Sequence, residues 1–226
     1  MLSSKFDQTE VTEVLIAALN EEKGVRATIE ELKETIEANR FLVVDGHSRD
    51  RTVEAAKDCG AEVIFQDGKG KGDALAKGIK NIKANTRFAV ITDADYTYPA
   101  ECLPEMFEIL TLNSEIGMVC GNRFYSKAEG PAFRGRFSFG NKLLASAHTF
   151  LNGVGLKDPL TGLRDVRAEI LRNWDVKSRG FDVEVEMNCE VARQGFKTVE
   201  VPIQYRQRIG EKKLRVRHGV GILRSR

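Results

Sequence analysis

Phe88-Ala89-Val90-Ile91-Thr92-Asp93-Ala94-Asp95 is an apolar run that stops at two carboxylates one residue apart. A short run of this kind is a buried-looking strand. Carboxylates at its end make a site for a hard divalent cation, because Mg²⁺ and Mn²⁺ prefer oxygen ligands and commonly bridge carboxylates to substrate phosphates. A lone Asp-x-Asp is also ordinary loop chemistry, so its surroundings decide between the two readings.

Working outward, strand and helix signals alternate. Val11 to Ala18 is an apolar, β-branched strand, and Glu21 to Ala38 has helical spacing through Val25, Ile29, Leu32 and Ile36. Phe41 to Val44 is a second strand ending in a Gly-His-Ser turn, Asp50 to Cys59 a helix closed by Gly60, and Ala61 to Phe65 a third strand. Asp73 to Ile82 is a helix before the fourth strand, Phe88 to Thr92. This alternation predicts an α/β chain with a mostly parallel central sheet flanked by helices, built from βαβ crossovers. Ligands of such sheets sit at the carboxyl ends of the strands, near the switch point. Three polar clusters fall at those ends: Asn20-Glu21-Glu22, Asp45-Gly46-His47-Ser48 and Asp93-Ala94-Asp95. Each has a plain reading as a cap or turn (Asn20, Asp45 and Asp50 among them). Their convergence on one sheet edge is what a site looks like.

The second half is less regular. Ile116 to Cys120 is a strand leading into Gly121-Asn122-Arg123, and Phe133 to Asn152 is a basic amphipathic stretch. That stretch suits a membrane interface and a helix packed on the sheet about equally. Phe181 to Glu186 alternates apolar and acidic residues, Met187 to Gln194 has a helical pattern, and Thr198 to Ile203 is a strand whose Pro202 places it at an edge or end.

The 226 residues carry a net charge of only +2, but the tail from Tyr205 holds Arg206, Arg208, Lys212, Lys213, Arg215, Arg217, Arg224 and Arg226 against Glu211. Such a tail attracts phosphate, a membrane surface or nucleic acid. No nucleic-acid reader motif accompanies it, which favours an anionic small or lipid substrate. The four cysteines and three histidines show no zinc spacing, so the thiols are expected to be reduced and cytosolic. No stretch reaches the roughly 20 apolar residues that span a bilayer, and a membrane segment beyond Arg226 stays open. Gly68-Lys69-Gly70-Lys71-Gly72-Asp73 lacks the Ser or Thr of a Walker loop, and is expected to form a cationic turn that holds an anion or rims a nucleotide pocket.

The order of motifs resembles the family 2 glycosyltransferases of GT-A fold, close to the polyprenyl (dolichyl) phosphate sugar transferases that use GDP-mannose or UDP-glucose. The likeness runs from Val11 to Leu214. Ile16-Ala17-Ala18-Leu19-Asn20-Glu21 resembles I-P-x-Y-N-E, and Val43 to Asp50 resembles V-V-D-D-G/N-S-x-D. Gly70 to Leu75 resembles the G-K-G-x-A loop, Asp93 to Pro99 D-A-D-x-x-x-P, and Gly121-Asn122-Arg123 G-S-R. Asp158 to Arg164 resembles D-x-x-(S/C)-G-F/Y-R, and Arg208 to Leu214 R-x-x-G-E-S-K-L. The departures, Ala17, Leu19, Gly46, Thr97 and Lys212, bear on nucleotide and sugar identity more than on reaction class.

The resemblance implies one Rossmann-like catalytic domain over residues 1–226, with a nucleotide-sugar half to residue 120 and an acceptor half after it. It implies inverting, metal-dependent transfer of a hexose, mannose first, from a nucleoside diphosphate sugar to a polyprenyl phosphate. Asp93 and Asp95 would hold Mg²⁺ or Mn²⁺. Ala17, Asn20, Glu21, Asp45, Lys71, Asp73 and Ala94 would line the donor site, with Asp45 on the base or ribose and Lys71 near that pocket. Arg123, Arg208 and Lys213 would fix phosphates. The enzyme is expected as a peripheral protein on the cytoplasmic face of the membrane. The alternatives are transfer of glucose from UDP-glucose, a soluble acceptor (which would need a base, Asp182 or Glu184), a nucleotidylyltransferase, and a binding module without chemistry.

Overall fold

The computed structural model describes residues 11–124 and 155–210. The basic stretch from Phe133 to Asn152 and the tail from Glu211, with Lys213, lie outside the described residues. In chain order the elements are β1 (Thr12–Ala18), α1 (Glu22–Thr35), β2 (Arg40–Asp45), α2 (Thr52–Asp58), β3 (Glu62–Phe65), α3 (Lys71–Lys80) and β4 (Phe88–Asp93). A 3₁₀ turn (Ala100–Cys102), α4 (Leu103–Leu112), β5 (Ile116–Asn122), β6 (Arg164–Arg167), α5 (Ala168–Arg172), α6 (Val183–Arg193) and β7 (Lys197–Pro202) come next.

The strands form one sheet in the order β3-β2-β1-β4-β6-β5-β7. All neighbours run parallel except β6, which is antiparallel to both β4 and β5. Both faces are covered, which is why β1 and β4 are apolar without alternation. One core gathers Val14, Ile16, Val43, Val90 and Val119 with Val25, Ile29 and Leu32 of α1. The other gathers Leu15, Leu42, Ile91 and Met118 with Leu75 of α3 and Met187 of α6. After β1 the chain moves out to β2 and β3, then returns to β4 on the other side of β1. The switch point therefore lies between the carboxyl ends of β1 and β4.

Three expectations change. Helix α1 ends at Thr35 rather than Ala38: Ile36 is extended, with its N–H on Leu32 O, and still packs against the core. The helical pattern expected from Met187 starts earlier: the helix begins at Val183, inside the alternating stretch Phe181 to Glu186. Its Val183, Met187 and Val191 enter the core, while Glu184 and Glu186 face internal partners, so acidic and apolar residues alternate for separate reasons. The Gly68–Gly72 segment is not an open phosphate cradle: a Cβ on Gly72 would lie 2.2 Å from Ser178 O, and Gly72 N–H donates to Arg179 O at 3.1 Å. The glycine is there for close packing. Pro202 ends an edge strand, as expected.

Asp165 gives a stability prediction. It sits in β6 between Val90 and Val119, fully buried, and neither carboxyl oxygen has a hydrogen-bond partner among the described residues. Burial pushes its carboxyl well above the usual range, outweighing the Val166 amide and the Arg167 charge. The folded chain thus keeps a proton that the unfolded chain loses near pH ~4. Stability should fall as pH rises above that point, by about 1.4 kcal/mol per pH unit, until the folded group ionises. The stability difference between wild type and Asp165→Asn, from urea melts at pH 5 to 8, should carry this slope; a pH-independent difference would refute it.

Candidate active site

The parallel register sets Ala17 beside Asp93 and Ala18 beside Asp45. The three polar clusters therefore do meet at one edge. Two of them clasp each other. Both Asp45 oxygens accept from Ser48, from its N–H at 2.7 Å and its hydroxyl at 2.5 Å. Ser48 Oγ in turn accepts from Asn20 N–H, and Asn20 Oδ1 from Arg49 N–H, each at 2.7 Å. Asp50 accepts from Glu22 N–H at the start of α1 and from Thr52 N–H at the start of α2. Asn20, Asp45 and Asp50 thus knit the β1–α1 and β2–α2 loops together. Beside them, His47 stacks on Phe65 at 5.5 Å, and Leu19 and Phe65 are among the exposed large apolar side chains.

The charged centre lies at the switch point. Asp95 Oδ1 accepts from Thr97 Oγ1 at 2.6 Å, and its Oδ2 from Arg208 at 2.7 Å. The other terminal nitrogen of Arg208 donates to Glu21 Oε1. Asp93 pairs with Lys71 at 2.5 Å, and Lys71 also pairs with Glu184 of α6 at 2.7 Å. Burial raises the Asp95 carboxyl, Asp93 adds to that, and Thr97 and Arg208 oppose it. Burial alone would lower the Lys71 ammonium, but Asp93 and Glu184 more than reverse this, so Lys71 stays charged. Gly162 completes the wall: a Cβ there would fall 2.6 Å from Asp93 Oδ2, and Gly162 N–H donates to Tyr98 Oη at 2.6 Å.

Four carboxylates, Glu21, Asp93, Asp95 and Glu184, face two cations, Lys71 and Arg208. Two negative charges stay uncompensated within this network, which is what a divalent cation would correct. Among the described residues no group of three His, Cys, Asp or Glu side chains could hold a metal by itself. The residues present therefore fit a cation held by Asp93 and Asp95 and completed by substrate oxygens, the usual habit of Mg²⁺.

Several expected site residues stand elsewhere. Lys71 reaches Asp93 and Glu184 instead of the pocket at Asn20 and Asp45. Asp73 accepts from Gly68 N–H at 2.6 Å and shapes the glycine turn. Arg123 makes a bidentate pair with Asp158, both contacts at 2.7 Å, instead of facing an open phosphate site. Arg208 does reach the centre. Glu31 carried no signal in the sequence, and Arg206 was one basic residue among many, yet the two pair beside Tyr96 and Ala100.

The profile of glycosyl transferase family 2 matches residues 13–172. Glycosyltransferase AglJ of Haloferax volcanii is 33% identical over 85% of this chain and 62% of its own length. The chain thus spans less than two thirds of that relative. Dolichyl-phosphate hexose transferase of the same organism is 31% identical over 89% of this chain and 85% of its own. Undecaprenyl-phosphate mannosyltransferase of Micrococcus luteus is 30% identical, with 88% and 86% covered. Among solved structures, glucosyl-3-phosphoglycerate synthase from Mycobacterium tuberculosis, in complex with Mn²⁺, UDP and glucosyl-3-phosphoglycerate, superposes with a TM-score of 0.71 at 20% identity. That match covers 95% of this chain and 76% of the other, and it shows the shared GT-A fold.

Proposed function

Since the chain belongs to glycosyl transferase family 2, we propose that it moves a hexose from a nucleoside diphosphate sugar to a polyprenyl phosphate. The observation that carries this reading is the Glu21–Arg208–Asp95 bridge beside the Lys71–Asp93 pair, a buried anionic centre at the switch point. Asp93 and Asp95 would hold Mg²⁺ or Mn²⁺, which supplies a Lewis acid for charge growing on the leaving diphosphate. Asp95 Oδ1 accepts two bonds from Thr97 and Oδ2 one from Arg208, so Oδ2 keeps a lone pair with which Asp95 would hold the cation. The donor diphosphate is a fitting new partner for that guanidinium, whose planar fork matches phosphate oxygens. Lys71 holds Asp93 in place from α3.

A phosphate acceptor is already an anion at pH 7 and needs no strong base. Of the two candidate bases for a hydroxyl acceptor, Glu184 is already held in an ion pair. Glu184 is buried against Lys71, and Asp182 accepts from Gly180 N–H at 3.1 Å. The described part of the half after residue 120 adds β6 and β7 to the sheet of β1 to β5, which supports a single catalytic unit. No described helix is long and apolar enough to cross a membrane. Membrane contact at the cytoplasmic face is assigned to the basic stretches outside the described residues, whose charge suits anionic headgroups. Undecaprenyl-phosphate mannosyltransferase of Micrococcus luteus supports mannose as the first sugar to test, and glucose from UDP-glucose is the second.

The test is an assay of purified protein with GDP-mannose and UDP-glucose, Mg²⁺ or Mn²⁺, and either a polyprenyl phosphate or soluble sugars and alcohols. Transfer to the lipid phosphate is expected, lost in EDTA and restored by added Mn²⁺. Transfer to the soluble acceptors alone overturns the acceptor reading, and full activity in EDTA overturns the metal.

A further inference from the structure

Arg208 belongs to a strap, residues 203–210, that leaves β7 and crosses the carboxyl ends of β5 and β4. Its backbone docks through Ile203 N–H on Asn122 O at 3.1 Å, Arg206 N–H on Thr97 O at 2.9 Å and Ile209 N–H on Asp95 O at 3.2 Å. Tyr205 packs edge-on against Tyr98, with ring centroids 5.1 Å apart.

The strap is also gripped from the side by α1. Arg206 forks onto the carboxylate of Glu31, Nη2 to Oε1 at 2.9 Å and Nη1 to Oε2. The guanidinium lies 4.8 Å from the ring centroid of Tyr96. Glu31 Oε1 also accepts Ala100 N–H at 2.8 Å, and Thr28, nearly one turn earlier on α1, accepts Tyr96 N–H at 3.1 Å. One helix face therefore holds both the loop that carries Asp95 and the strap that carries Arg208. Burial pushes the Glu31 carboxyl up, but the bonds from Arg206 and Ala100 bring it below the usual range.

We propose that Glu31 and Arg206 are positioning residues for Arg208: their ion pair fixes the strap against the Asp95 loop, and with it the guanidinium that meets the donor diphosphate. This rests on the reading of the site given above. Arg206 is two residues from Arg208, so an error at one is carried to the other. A misplacement of about 1 Å at a reacting centre can cost roughly 100-fold. The pair is partly exposed, at 31% and 19%, so its loss should barely affect the fold.

The experiment compares Glu31→Gln, Arg206→Met, Arg206→Lys and the double variant Glu31→Gln/Arg206→Met with wild type. It measures affinity for Mn²⁺ with UDP or GDP by calorimetry, kcat and KM for transfer, and thermal melts. Glu31→Gln and Arg206→Met should each weaken Mn²⁺–nucleotide binding about ten-fold or more, and the double variant should be no worse than about two-fold below the weaker single. Arg206→Lys, which keeps the charge and loses the fork, should fall between wild type and Arg206→Met. Single variants that bind within two-fold of wild type overturn the proposal, and so do losses that multiply in the double. Losses that vanish on cooling also overturn it, since they reflect only a less stable fold. Wild-type protein that binds the nucleotide yet transfers nothing to polyprenyl phosphate overturns the acceptor reading, while the binding data still decide the positioning role.

Discussion

Replacing Asp95 with asparagine should lower sugar transfer by roughly 10³-fold, the upper range for removing one electrostatic group from a catalytic centre. That is about 4 kcal/mol of lost transition-state stabilisation. Asparagine keeps the size of the side chain and an oxygen for Thr97, which donates to Asp95 Oδ1 through both its N–H and its hydroxyl. What disappears is a charge within a network of four carboxylates and two cations. Arg208 keeps Glu21 as a partner, and the repulsion between positions 93 and 95 is relieved. The folded state should therefore be no less stable, and a small gain would match the common trade of stability for function at charged sites. Two measurements check this together. Thermal melts of the variant should stay within a few degrees of wild type or rise, and Mn²⁺ should no longer strengthen nucleotide binding. Near-normal transfer by Asp95→Asn would remove Asp95 from the reaction. A large drop in melting temperature would make the residue architectural instead.

The first four strands and their polar ends were legible because a sheet covered on both faces writes itself as short apolar runs, and a parallel sheet sends its loops to one edge. The site's pairings were not legible, for a definite reason. Arg206 and Glu31 are 175 residues apart, Arg208 and Glu21 187, and no periodicity reports such a contact. Lys71 shows the same limit in a glycine loop. Its lysines suggested an anion site, but packing of Gly72 against Ser178 turns the loop so that Lys71 meets Asp93 and Glu184. The helix at Val183 was hidden by acidic residues that are internal partners rather than a solvated face. Sequence pattern reports where a residue's apolar neighbours lie, and long-range charge pairs leave no such trace.

Arg123, expected on phosphate, instead holds the scaffold, and its removal should cost stability before it costs binding. Its guanidinium and backbone N–H all donate to the Asp158 carboxylate, and the two side chains are 8% and 1% exposed. Burial alone would lower the guanidinium's pKa, but Tyr98 and the Asp158 carboxylate more than reverse this, so Arg123 stays charged. The pair joins the end of β5 to the loop that leads into β6, the same loop that places Gly162 against Asp93. Removing one member of a buried pair leaves the other charge without compensation, which costs about 3–5 kcal/mol. For a chain of this size that corresponds to a melting temperature lowered by on the order of 10 °C. Arg123→Met and Asp158→Leu should each show it, and Arg123→Lys should recover only part, because an ammonium cannot reproduce the fork. The double variant Arg123→Met/Asp158→Leu should be more stable than the sum of the single losses predicts, since it buries no lone charge. A phosphate ligand would behave in the opposite way: Arg123→Met would leave the melt unchanged, weaken only substrate binding, and show no coupling to position 158. Urea and thermal melts of the four variants, run without nucleotide, separate the two roles before any transfer assay.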